Sequence, residues 1–233
     1  MAGFVRASVT AEGRTLGYVE AGDGPVLAVL DGLSGLRPGS LHVQLAATRR
    51  VIVFARPDAD GAAAARLVAA GLGALGIEAF DLMAHGAGAG TALWLALLRP
   101  RAVRSVILVA PLALGAAAPL AGLTAAALHA HPERHPAPPL PVRGLADPGA
   151  LEQRMADIEA PVLALFGTED PLAPPEWGDR YRARLAACNL MFVYDAAHLV
   201  DFDRPEAVAF IAGEFLDRKD QFLVSREDGR IFP

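Results

Sequence analysis

Three short segments of this chain carry residues able to move protons or hold developing charge. The stretch Asp81-Leu-Met-Ala-His-Gly-Ala-Gly-Ala-Gly90 passes from an apolar run through a turn of small residues into the apolar segment Gly88–Leu98. A helix starting just after such a turn offers its N-terminal amides to negative charge. Farther along, Leu165-Phe-Gly-Thr-Glu-Asp-Pro-Leu-Ala-Pro174 sets Glu169 and Asp170 directly after a buried run, and Ala196-Ala197-His198 follows Leu190–Tyr194. Imidazole and carboxylate together are the groups of general acid–base chemistry near neutral pH. The centre of the small-residue turn is Gly86, which has no side chain for chemistry of its own.

The elements that must position these residues follow from hydrophobic pattern. Phe4–Val9 and Arg14–Glu20 alternate apolar and polar residues around Ala11-Glu12-Gly13, which predicts an antiparallel hairpin at a sheet edge. Val26–Leu30, Val51–Phe54, Asp81–Ala84, Val103–Ala110, Pro161–Phe166 and Leu190–Tyr194 are short, nearly continuous apolar runs, as expected of strands buried on both faces. Gly61–Leu75, Gly88–Leu98, Glu176–Leu185 and Pro205–Leu216 read as helices between them. Alternation of strands and helices predicts an α/β fold: a mostly parallel, doubly wound sheet with helices on both faces.

Residues 112–157 break the alternation. They are rich in Ala, Pro and Gly, include His129, His131 and His135, and read as a short lid over the carboxyl edge of the sheet. After Leu216, residues 217–233 carry an Asp228-Gly229 turn signal between FLV and RIF, read as a small hairpin and a candidate homodimer contact.

Taken in order, these anchors resemble the α/β-hydrolase superfamily over residues 12–216, in the style of its small esterase, haloperoxidase-like and ring-cleavage branches. Val26–Gly32 with Leu33-Ser34-Gly35 is similar to the strand and oxyanion loop, with Asp31-Gly32 where the family usually has His-Gly. Ala84-His85-Gly86-Ala87-Gly88 falls on the small-x-nucleophile-x-small elbow. The loop holding Asp170 is similar to the family's acid loop, with Glu169 the weaker substitute. Ala196-Ala197-His198 followed by Asp203-Arg204-Pro205-Glu206 is similar to its catalytic-histidine loop. The resemblance implies a single hydrolase domain over residues 1–216, no cofactor and no metal. It makes His198 the base, Asp170 the acid, Gly86 the occupant of the nucleophile position, and the amides of Leu33 and Ala87 the oxyanion donors, with Asp31 and Ser34 lining the pocket.

In the usual mechanism a serine oxygen attacks the acyl carbon. Removing the nucleophile of a triad lowers turnover by about 10⁶-fold, or about 8 kcal/mol of barrier. Glycine, in contrast, adopts the strained elbow conformation without the Cβ penalty. Two readings follow. In one, a His198–Asp170 dyad activates water in the space a serine would fill, or removes a substrate proton, on a small, largely apolar carbonyl or ester-type molecule. In the other, the chain is an inactive pseudoenzyme that binds a ligand or a protein, and the dyad is a structural pair.

Blander readings hold for the remaining chemical side chains. Ser34 satisfies loop backbone, Asp31 caps a turn, and His85 packs with its ring away from substrate, while Met83, Trp94, Phe166 and Trp177 are packing residues. The lid histidines, spaced by two and four residues without an acidic cluster, read as solvated lid and not as metal ligands. Cys188, the only cysteine, reads as a buried filler and cannot form an internal disulfide.

Composition narrows the partners. With 233 residues, 53% hydrophobic, the chain can build one substantial core. A formal net charge of −5 with scattered Lys and Arg excludes a nucleic-acid footprint. No apolar run reaches a membrane span, and the N-terminus lacks a signal core, so the expectation is a cytoplasmic protein whose partner is a small molecule.

Overall fold

The computed structural model describes residues 3–30, 36, 38–55, 57, 59, 61–114, 128–131 and 148–222. Within them the apolar runs pair into an eight-stranded sheet: β1 (Val5–Ala11), β2 (Arg14–Ala21), β3 (Val26–Leu30), β4 (Arg50–Phe54), β5 (Phe80–His85), β6 (Val103–Val109), β7 (Val162–Gly167) and β8 (Cys188–Val193). The spatial order is β1-β2-β4-β3-β5-β6-β7-β8. β1 pairs antiparallel with β2, as does β2 with β4, and the other neighbours are parallel. The β1–β2 turn places Glu12 at φ 50° and Gly13 at φ 72°. Positive φ at both central residues matches the strand twist of a two-residue hairpin.

Seven α-helices are present among the described residues: α1 (Ser40–Leu45), α2 (Gly61–Ala74), α3 (Gly88–Leu98), α4 (Pro148–Glu152), α5 (Gly178–Arg184), α6 (Val200–Asp203) and α7 (Pro205–Arg218). All six residues of β5 and of β7 are buried, because helices cover both faces of the sheet. Side-chain alternation divides the core. Phe80, Leu82 and Ala84 of β5 join the cluster containing α2, α3 and Tyr181 of α5, while Met83 joins that of Leu41, Val208, Ala212 and Phe215 from α1 and α7. Each such aliphatic side chain contributes roughly 1.5–3 kcal/mol when fully buried.

The same alternation sends Asp81 and His85 toward the α1–α7 face. At the amino end of β5, Asp81 accepts from Ser105 Oγ at 2.7 Å and Lys219 Nζ at 2.5 Å, with Arg49 at 3.9 Å. Arg49 also pairs with Asp217 of α7. This charge cluster, buried at Asp81 and Arg49 and open to solvent at Asp217, fastens the end of α7 beneath the sheet.

The expected helix over Glu176–Leu185 is divided, with a 3₁₀ turn at Pro175–Trp177 followed by α5. Pro174, extended at ψ 150°, and Pro175 set that tighter start. Helices α1, α4 and α6 had no counterpart in the sequence reading. Each has six residues or fewer, too short for periodicity to register. Helix α7 runs past residue 216 to Arg218, and the predicted tail hairpin lies outside the described residues, as does most of the expected lid. Among the described residues, no helix is long and apolar enough to cross a membrane.

Candidate functional site

Because β3, β5, β7 and β8 run parallel, the segments leaving them emerge at one edge of the sheet. Gly86 follows β5 at φ +52°, with its N–H bonded to the Val109 carbonyl at 3.0 Å. Its carbonyl accepts from Ala89 at 3.2 Å and Leu112 at 3.1 Å. The left-handed turn is thus fixed by backbone on both sides, in a conformation that favours glycine. Helix α3 begins immediately after, with Ala87 as its first flanking residue. A small, largely apolar cleft beside that helix end is lined by Leu30, Phe54, Ala55, Pro57, Ala87, Gly88 and Thr91.

Asp170 and His198 leave β7 and β8. Asp170 Oδ2 lies 2.9 Å from His198 Nδ1, and both side chains are completely buried. Asp170 Oδ1 accepts the amides of Leu172 at 2.7 Å and Ala173 at 2.9 Å, so its loop aims the carboxylate. A carboxylate accepts only, so Nδ1 carries the hydrogen and the neutral ring has its lone pair on Nε2. Nε2 is buried and has no hydrogen-bond partner among the described residues.

The two loops are joined through backbone. Thr168 N–H donates to Val193 at 3.0 Å, and Glu169 N–H to Ala196 at 3.0 Å. Behind His198, Asp203 of α6 accepts from Ala197 N–H at 2.9 Å, Ala130 N–H at 2.9 Å and His129 Nδ1 at 2.8 Å. Leu199 N–H donates to Leu128 at 2.9 Å, and His131 Nε2 lies 2.6 Å from Asp195 Oδ1. Residues 128–131 are therefore clasped to the histidine loop.

No family model and no curated protein matches the chain. Solved structures do. A thermophilic esterase from Thermogutta terrifontis superposes with TM-score 0.76 at 19% identity, covering 91% of this chain and 98% of the other. A carboxylesterase from Bacillus subtilis gives 0.72 at 17% identity, covering 92% of each. The 2-hydroxy-6-oxo-6-phenylhexa-2,4-dienoate hydrolase of a Rhodococcus gives 0.79 at 15% identity, covering 93% of this chain and all of the other. This chain has the α/β-hydrolase fold. At these identities the likeness is one of architecture.

Within that fold, the sequence-singled residues fall as follows. Asp170 and His198 are hydrogen-bonded, and Gly86 stands at the turn between β5 and α3. Ala87 is half-buried at the start of α3. Asp31, Leu33, Ser34 and His135 lie outside the described residues. One reading requires correction: His129 is not solvated, since it is 5% exposed with Nδ1 2.8 Å from Asp203 of α6, whereas His131 stays part-exposed beside Asp195. His85 is buried on the α1–α7 face, and its ring stacks on His198 with centroids 5.5 Å apart.

Met83 and Phe166 are core residues, and Trp94 and Trp177 are half-buried against the core. Cys188 opens β8, at the end of the strand opposite His198, and burial pushes its thiol up to about 12. Asp201 was missed as a contributor, and Asp203 was read only as part of the histidine-loop pattern, without a role of its own; the signal for Asp201 was its place three residues after His198.

Proposed function

We propose that this α/β-hydrolase-fold chain acts on a small, largely apolar carbonyl or ester-type molecule through a His198–Asp170 dyad working as a general base, without a serine nucleophile. The observation that carries this reading is the His198 ring. Its Nδ1 is committed to Asp170 at 2.9 Å, which directs the lone pair of the neutral ring to Nε2. A base held in one tautomer, away from solvent, is prepared to take a proton from water or from substrate. Asp170 stabilises the imidazolium that results. The amides of Leu33 and Ala87 supply the oxyanion site, aided by the N-terminal end of α3. The esterases and the dienoate hydrolase among the structural neighbours support the substrate class by analogy of fold. We place the hydrolase domain at residues 1–216 with 112–157 as its lid insertion, in a cytoplasmic protein.

Mass spectrometry of protein quenched during turnover of short- and medium-chain aryl esters tests this. Product release with the protein at its unmodified mass is expected. An acyl adduct on the wild-type chain would reveal a displaced nucleophile and overturn the reading.

A second reading is favoured by one observation: His198 and Asp170 are both wholly buried. A ligand-binding pseudoenzyme would keep such a pair for its hydrogen bond alone. It would bind the same class of molecule with no turnover.

A further inference from the structure

Residue 85 precedes the Gly86 turn, and β5 alternation places it on the α1–α7 face of the sheet. His85 Nε2 lies 2.9 Å from the His198 carbonyl oxygen. A carbonyl accepts only, so Nε2 carries the hydrogen and donates it. The two imidazoles stack with 27° between their planes. Beyond His85, Asp201 of α6 brings Oδ1 to 3.7 Å from His85 Nδ1, with the side chains 7% and 9% exposed. Asp201 Oδ1 is buried and has no hydrogen-bond partner among the described residues. Val29, Leu41, Met83 and Val109 wall the pair in with His42, whose own Nδ1 accepts the Gly39 amide at 3.1 Å. Apolar walls leave little solvent to screen the Asp201–His85 interaction.

The geometry points to His85 and Asp201 as positioning residues for His198. This rests on the reading of His198 as base. Asp170 holds the His198 ring from Nδ1, yet the residue itself sits in the loop between β8 and α6, and the direction of Nε2 depends on where its backbone is held. The His85 bond fixes that carbonyl to the elbow strand, so base and elbow cannot drift apart. With Nε2 donating to the carbonyl, a neutral His85 ring has only a lone pair at Nδ1, so Asp201 attracts that edge, and helps keep Nε2 on the carbonyl, when the ring is in its imidazolium form. Losing the bond leaves a buried acceptor unmatched and frees the loop. A displacement of about 1 Å at such a site costs about 10²-fold in rate.

The test is proton NMR on the full chain labelled with ¹⁵N-histidine, following the low-field Nδ1–H of His198, assigned by its loss in His198→Ala. His85→Gln restores an N–H close to the position of Nε2, His85→Leu removes it, and Asp201→Asn removes the charge at constant volume. The signal should persist in wild type and His85→Gln. It should exchange with water at least about tenfold faster in His85→Leu and measurably faster in Asp201→Asn. If His85→Leu does not fold, the contrast between His85→Gln and Asp201→Asn decides. Unchanged exchange in the substituted chains that fold would overturn the positioning role alone. Absence of the signal from wild type would overturn the dyad, and this inference with it.

Discussion

Gly167 approaches the carbonyl of Ala197 so closely that a Cβ on the glycine would lie 2.3 Å from that oxygen and 2.5 Å from the oxygen of Ala196. The end of β7, which leads to Asp170, therefore rests directly on the backbone that leads to His198. The dyad distance is set by main chain pressed against main chain, and no side chain at position 167 can yield to relieve it.

Gly167→Ala is accordingly expected to separate the loops. Overpacking of this kind costs about 1–3 kcal/mol, and the Asp170–His198 hydrogen bond should weaken with it. Urea unfolding and the His198 low-field resonance check both. An unaltered midpoint and resonance would show that the contact does not set the dyad.

At Gly86 the backbone lies at φ +52°. Gly86→Ser should lower stability by about 1–3 kcal/mol, the strain of a side chain in that conformation. The same substitution should create an acylatable hydroxyl beside His198. Thermal midpoints and the mass of ester-treated protein read the two effects separately.

Asp203 joins the histidine loop to residues 128–131 through bonds from Ala197, Ala130 and His129. Removing a buried acceptor with several donors is among the severe single changes, so Asp203→Ala should cost about 2–4 kcal/mol. The Ala130 and Ala197 amides should lose hydrogen-exchange protection before the rest of the domain. Uniform exchange with no local opening would argue against the clasp.

Cys188 should be inert. Burial lifts its thiol to about 12, so its thiolate fraction at pH 8 is about 10⁻⁴ and alkylation should run at least ~100-fold slower than for free cysteine. A raised thiol contributes its stability in full below the ordinary thiol range and loses it as pH climbs toward about 12. Cys188→Ser should flatten the alkaline arm of a stability–pH curve.

The strands were legible because parallel strands buried on both faces must be apolar throughout, and β3 falls on Val26–Leu30 as read. The left-handed turn at Gly86 was legible as well, since small residues between a strand and a helix leave few alternatives. Contacts fixed by tertiary folding were not. Nothing local shows that β5 alternation turns His85 toward His198, or that Asp203 gathers donors from residues 129, 130 and 197. Helix α1 escaped because six residues hold less than two turns of pattern.

The most direct measurement compares initial rates of wild type and His198→Ala on a panel of short- and medium-chain aryl esters, with unfolding midpoints recorded for both. Turnover in wild type that falls by at least about 10³-fold in a folded His198→Ala chain is expected of a dyad acting as base. Equal rates in the two chains, or no turnover in either, would contradict it.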